Sequence, residues 1–127
     1  MIRGIGTDIV EIARIRQILE RHDRAFITRV FTAEEQALAE AENANAAQFY
    51  AGRWAAKEAA AKTLGTGIGA ECNWLDLCIL RGPAGQPQLE LRGAAAETAK
   101  KLGIASIHIT ISHVKDLAVA CAVAESA

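Results

Sequence analysis

Hydrophobic and polar positions alternate at the start of the chain. Ile2, Gly4, Gly6, Asp8 and Val10 fall on one face and Arg3, Ile5, Thr7, Ile9 and Glu11 on the other, with β-branched residues on both, which predicts a strand over 2–11. The period then changes. Ile12, Ile15 and Leu19 follow helical spacing, with Arg14, Arg16, Glu20 and Arg21 spread over the remaining surface. Thr32-Ala33-Glu34-Glu35 has the form of a capping box, in which Thr32 accepts from the Glu35 amide while Glu35 reaches back, and predicts a short helix to about Ala41. A polar, alanine-rich stretch at 41–49 leads into FYAGRWAAKEAAAKTL, 49–64, a helix by composition with Gly65 as its stop. Residues 65–73 read as a flexible glycine-rich loop. LDLCILR at 75–81 and QLELR at 88–92 alternate about Gly82-Pro83-Ala84-Gly85, which is turn chemistry and predicts a hairpin. A helix over 94–103 and strands over 106–114 and 117–125, joined across Lys115-Asp116, complete the chain.

This order, β-α-α-α-β-β-α-β-β with no repeat and no linker, predicts an α+β fold of one domain, 1–127, with helices packed on a mostly antiparallel sheet. Composition adds one constraint. The chain is 51% hydrophobic, but 27 residues are Ala and only six are aromatic, so the core is built from small side chains and burial per chain is thin. Subunit association is one way to make up the difference. A net charge of −1, from 14 Lys+Arg against 15 Asp+Glu, removes any chain-wide basic field that would recruit nucleic acid or an anionic membrane. With no apolar run suited to a signal peptide or a membrane span, the expectation is a soluble, cytoplasmic protein. Cys72, Cys78 and Cys121 lack CxxC spacing, which points to reduced, mostly buried thiols.

The candidate chemistry lies on two elements. In the helix over 49–64, Glu58 and Lys62 are i, i+4 neighbours, Trp54 is one turn above, and Gly65 comes almost a turn below; Arg53 and Lys57 form an adjacent line. On spacing alone, a solvated face with a Glu–Lys pair is the plainer reading. Asp8 changes the balance, because a carboxylate in an otherwise apolar strand face needs a partner or a cation. If the strand lies beside the helix, Asp8 and Glu58 meet. Two carboxylates next to a lysine suit Mg²⁺, which takes one or two protein oxygens and completes its shell with water and phosphates. An ion pair of Asp8 with Arg or Lys is the plain alternative. GTGIG at 65–69 matches neither common phosphate-loop spacing and follows a helix C-terminus, where the dipole repels anions. His108 and His113 are five apart in one strand and so face opposite ways, one toward the core and one at an edge, and His22 is expected at the surface. The arginines of the first helix, Arg14, Arg16, Arg21, Arg24 and Arg29, form a local basic cluster able to dock an acidic protein.

GIGTDIVEIARI at 4–15, FTAEE at 31–35, GRWAAKEAAAKTLGTGIG at 52–69 and HITISHVKDLAVACAV at 108–123 resemble, in order, the holo-acyl-carrier-protein synthases, the small bacterial class of 4′-phosphopantetheinyl transferases. The resemblance implies that fold, and transfer of the 4′-phosphopantetheine arm of coenzyme A to a serine of apo-acyl carrier protein with release of adenosine 3′,5′-bisphosphate. It implies that Asp8 and Glu58 ligate Mg²⁺ and act with Lys62 as the catalytic set. Arg53, Lys62, Gly65 and His108 become coenzyme A contacts, and Arg14 and Arg24 belong to the helix that receives the carrier protein. It further implies a homotrimer with sites at subunit interfaces. Trp54 stands where Phe is also frequent in the family. Two other readings of the same residues are a different Mg²⁺-dependent nucleotide enzyme and a non-catalytic module that binds an acidic partner.

Overall fold

The observed order of elements is the predicted one. A computed structural model describes residues 1–42 and 45–127, so 43–44 of the polar lead-in lie outside the described residues. Strand β1 (Ile2–Glu11) runs directly into α1 (Ile12–Val30), followed by α2 (Ala33–Glu42) and α3 (Ala46–Thr63). A short 3-10 turn (Trp74–Asp76) precedes the hairpin β2 (Leu77–Arg81) and β3 (Pro87–Leu91); α4 (Gly93–Lys101), β4 (Ile104–His113) and β5 (Leu117–Ser126) end the chain. β1, β5 and β4 form one antiparallel sheet in that spatial order, and β2 and β3 form a second, also antiparallel.

Helix α3 lies across the larger sheet, and the contact is made of small residues. Ala118, Ala120, Ala122 and Ala124 alternate along β5 and are buried, as are Ala55, Ala56, Ala59 and Ala60 of α3. Gly4 and Gly6 of β1 complete this surface. A Cβ on Gly4 would lie 2.5 Å from the Thr63 carbonyl oxygen, and one on Gly6 would overlap the Ala59 carbonyl oxygen outright. The alanine excess therefore sets a close helix-to-sheet approach.

Around the other side of α3 the packing closes on a buried ion pair. Lys57 and Glu35 are both fully buried, with Nζ 2.7 Å from Oε1. The ammonium also donates to the carbonyls of Val30 (2.6 Å) and Trp74 (3.1 Å). Glu35 Oε1 accepts from the Thr32 amide (2.8 Å), Oε2 accepts from the Ile79 amide (2.9 Å), and the Glu35 amide donates to Thr32 Oγ1. The predicted capping box thus exists, and its glutamate does more than cap. It ties the end of α1, the start of α2, the 3-10 turn and β2 to one lysine of α3. Every donor and acceptor of the pair has a partner, the condition under which buried charge is tolerated. Burial depresses the Lys57 pKa, and Glu35 opposes that shift.

Several boundaries differ from expectation for local reasons. Helix α3 begins at Ala46 because the Asn45 side chain accepts from the Gln48 amide. The first hairpin strand begins at Leu77 because Asn73 and Asp76 cap the preceding turn, and Asp76 Oδ2 also accepts from the Ala95 amide of α4. Helix α1 runs to Val30 through a break at Asp23, whose φ is 22°. Residues 65–73 are organised by turns and by a Gly69–Cys72 bridge. Neither strand histidine is in the core: His108 and His113 are both exposed, as is His22. Cys72 and Cys78 are buried, Cys121 is exposed, and all three are free thiols.

The ion pair yields a stability test by urea unfolding. Lys57→Met strands a buried carboxylate and is expected to cost about 3–5 kcal/mol. Adding Glu35→Gln removes that charge and should recover a large part of the loss. A single variant within about 0.5 kcal/mol of wild type, the range of ordinary surface substitutions, would show that the pair does not hold these elements together.

Candidate active site

Asp8 shares the α3-facing side of β1 with Gly4 and Gly6, and its register partner is Ala120. Because glycine and alanine let α3 settle onto this edge of the sheet, Asp8 reaches the stripe that carries Glu58 and Lys62. Lys62 Nζ donates to the Thr7 carbonyl (2.8 Å) and to Asp8 Oδ1 (3.3 Å). Asp8 Oδ2 is buried and accepts no hydrogen bond from the described residues. The plain ion-pair reading of Asp8 thus accounts for one of its two oxygens and leaves the other without a partner. Glu58 is half-buried beside it, and its pKa is raised by burial first and by the Asp8 charge second, while Lys62 pulls it down. The Glu58–Lys62 pair expected of a solvated face is replaced by Lys62–Asp8.

This donor set fits a hard cation. Lys62 reaches only one Asp8 oxygen, so two carboxylates share one ammonium and the orphaned oxygen is left for a cation; Mg²⁺ accepts such a pair while leaving positions open. Among the described residues no group of three or more His, Cys, Asp or Glu is placed to hold a metal by itself. Mg²⁺ would therefore take its remaining ligands from water and substrate oxygens.

On the N-terminal side along α3, the Trp54 ring stacks on Trp74 at 5.8 Å and 30°, and the Arg14 guanidinium lies 5.9 Å from the Trp54 centroid. Arg14 is thus adjacent to the site. Arg24 follows the Asp23 break in the second half of α1, and its charge acts on Tyr50 of α3. On the other side, Gly65 ends the helix with φ 76°, its amide bonded to the Lys62 carbonyl.

Two expected site residues do not join this cluster within one chain. Arg53 is about 140° round the α3 axis from Glu58. Its guanidinium sits over the Phe49 ring at 4.2 Å, and its Nε is buried with no hydrogen-bond partner among the described residues. It opens on a cavity of about 310 Å³ that Gln48, Arg81, Pro87, Ile111 and His113 help to line, at the β4 edge of the sheet. His108 lies on the face of the sheet away from α3, with Nε2 3.1 Å from Glu125 Oε1. Sequence reasoning missed the grouping of Arg81, His113 and Gln48 with Arg53, because no spacing relates a hairpin, a strand end and a helix. It also left Lys57 as a member of a surface line. The available signal was a lysine flanked by Ala55, Ala56, Ala59, Ala60 and Ala61, a setting with no solvated face.

The family model for the 4′-phosphopantetheinyl transferase superfamily matches residues 4–122. The chain belongs to that superfamily. Among its relatives is the holo-acyl-carrier-protein synthase of Anaeromyxobacter sp. (strain K), 46% identical over 98% of this chain and 97% of the relative. The synthase of Brucella ovis is 44% identical over 99% and 96%. A crystal structure of the Neisseria meningitidis synthase superposes with a TM-score of 0.92 at 33% identity, covering 99% of this chain and all of that one. The Helicobacter pylori synthase in complex with coenzyme A superposes at 0.84, with 34% identity over 95% and 99%. The transferase is an enzyme, and Asp8, Glu58 and Lys62 all lie within the matched range.

The close approach that forms the site gives its own prediction. Gly6→Ala forces β1 off α3, so it should cost about 1–3 kcal/mol of stability and separate Asp8 from Glu58. Calorimetry together with a turnover assay checks this; an equally stable, equally active variant would show that the glycine is not what seats Asp8.

Proposed function

We propose that this transferase moves the 4′-phosphopantetheine group of coenzyme A to a serine of apo-acyl carrier protein, releasing adenosine 3′,5′-bisphosphate, with Mg²⁺ held by Asp8 and Glu58. The observation that carries the proposal is the unpartnered Asp8 Oδ2 beside Glu58 and Lys62. It is supported by relatives that are holo-acyl-carrier-protein synthases and by neighbours solved with coenzyme A.

When bound, Mg²⁺ supplies Lewis-acid charge to the pyrophosphate oxygens and holds them in place. Lys62, half-exposed and already at the cluster, turns its ammonium to the same oxygens and neutralises charge as the transition state loosens. The serine Oγ forms a bond to the β-phosphorus, and the bond from that phosphorus to the bridging oxygen breaks. The electron pair leaves on the 5′-phosphate of adenosine 3′,5′-bisphosphate. The serine proton is taken up on the carboxylate side of the site, at Glu58 or a water it holds. Positioning and electrostatics account for the rate. The carrier protein docks on α1, with Arg14 at the margin of the site and Arg24 beyond the break.

The Arg53 cavity lies at the β4 edge of the sheet and Asp8 at the β1 edge, so one copy cannot offer both to one coenzyme A. Copies placed head to tail in a closed ring bring the β4 edge of one subunit to the β1 edge of the next. The homotrimer assembles in this way, and the coenzyme A nucleotide bound at Asp8, Glu58, Lys62 and Gly65 of one subunit meets Arg53 of its neighbour, with His108 brought in from the same edge. The outer face of the sheet carries the apolar surface that such association needs: Ile5 and Ile9 are 70% and 61% exposed. The protein works in the cytoplasm, where its carrier protein is made.

Mass spectrometry of apo-acyl carrier protein incubated with coenzyme A, Mg²⁺ and the protein should show the added phosphopantetheine, and no mass gain beside an active control sinks the proposal. Asp8→Asn and Glu58→Gln should fold normally and lose about 100-fold or more in turnover. Arg14→Ala should raise the KM for carrier protein more than that for coenzyme A, most clearly at low salt; equal effects on both would remove Arg14 from the docking surface. Ile5→Glu should convert a trimer to monomers by light scattering and abolish turnover. A trimeric, active Ile5→Glu variant would place the interface elsewhere.

A further inference from the structure

Helix α3 presents Glu58, yet no hydrogen bond from the described residues holds that carboxylate. Its position follows the helix backbone. The sheet side of α3 gives closeness without register. Ala55, Ala56, Ala59 and Ala60 lie against the β5 alanines and the glycines of β1, and residues this small form shallow ridges that do little to stop a helix from turning on its axis. A turn of about 20° carries a side-chain end at a radius of roughly 5–6 Å through about 2 Å. That is enough to part Glu58 from Asp8 as a pair of ligands.

Lys57 supplies the missing register. An ammonium has three donors, and all three are used: on the Val30 carbonyl that ends α1 (2.6 Å), on Glu35 Oε1 of α2 (2.7 Å) and on the Trp74 carbonyl of the 3-10 turn (3.1 Å). The whole side chain is buried, so neither its head nor its stem has room to follow a turning helix. Glu35 is pinned in its turn by the amides of Thr32 and Ile79. A plain stabilising staple is the other reading of the pair. It explains less, because a buried ion pair adds little over apolar residues of similar volume, whereas a fully bonded one selects a single arrangement.

We propose that Lys57 and Glu35 are positioning residues for the transfer reaction: the pair fixes the rotation of α3 and so holds Glu58 where it shares a divalent cation with Asp8. This rests on the metal site proposed above, and the two fail separately. Mn²⁺, a hard cation suited to the same oxygen ligands, is the probe, titrated with coenzyme A present and no carrier protein. If Glu58→Gln binds Mn²⁺ as tightly as wild type, the metal site is wrong and the positioning role falls with it. If Glu58→Gln weakens binding, the Lys57–Glu35 pair is tested on that affinity.

The double variant Lys57→Met/Glu35→Gln is compared with wild type for kcat, for the KM of each substrate, and for Mn²⁺ affinity by electron paramagnetic resonance. Glu35→Asp keeps both charges but shortens the reach to Lys57, and it decides the matter if the double variant does not fold. Ala99→Gly, at a buried position of α4 that carries no site residue, is the control for a general loss of stability. A thermal melt and light scattering follow all three. In the double variant kcat should fall and Mn²⁺ affinity weaken by about tenfold or more, the usual scale for a group that orients a metal ligand, with the KM for carrier protein little changed. Glu35→Asp should show a smaller loss of both, and Ala99→Gly should melt earlier with wild-type kcat and affinity. Wild-type kcat and Mn²⁺ affinity in the double variant, or in Glu35→Asp where the double variant does not fold, would overturn the proposal. So would an equal loss in Ala99→Gly, or a kcat loss with Mn²⁺ affinity intact.

Discussion

The site depends on how closely α3 lies on the sheet. Asp8 belongs to a strand, Glu58 and Lys62 to a helix, and the two elements touch through residues with almost no side chain. Gly4 and Gly6 leave room for the carbonyls of Thr63 and Ala59, and the alanines of β5 meet those of α3. A larger residue at these positions moves the helix outward and takes both the carboxylate pair and the lysine apart. A composition that first reads as a thin core is the geometric condition for bringing a strand carboxylate to a helix carboxylate.

Close packing on one side leaves open how α3 is held on the other, and there Lys57 and Glu35 act. Lys57 precedes Glu58 in the chain, so whatever fixes Lys57 also fixes the rotation of the helix that presents Glu58. Its ammonium is bonded to the end of α1 and to the 3-10 turn, while Glu35 reaches β2. The same turn carries Trp74, stacked on Trp54, against which Arg14 rests. Helix α1 and the site are thereby mounted on one shared contact. Such a pair adds little net stability over an apolar replacement, so its contribution here is fixed geometry.

Much of this was legible in the residues. The period-2 pattern of 2–11 located β1 and exposed Asp8 as an anomaly, the Thr32–Glu35 box located α2, and the turn residues at 82–85 located the hairpin. The same spacing put Glu58, Lys62 and Gly65 on one stripe. What remained hidden was set by tertiary contact. Lys57 has the same local pattern as a solvated lysine until the alanines around it are known to be buried. Arg53 and His108 were grouped with Asp8 by resemblance, yet one lies at the opposite edge of the sheet and the other on its far face. No spacing within a chain shows whether the two remote groups meet through another copy, as proposed above.

That last point is tested most directly by mixing two inactive proteins. Asp8→Asn subunits retain the Arg53 half of the site, and Arg53→Ala subunits retain the Asp8 half. Co-refolded in equal amounts and assayed at limiting coenzyme A, they should recover about a quarter of wild-type turnover, the fraction of interfaces in a random ring where both intact halves meet. Activity no greater than that of the two parents assayed separately would contradict a site shared between subunits.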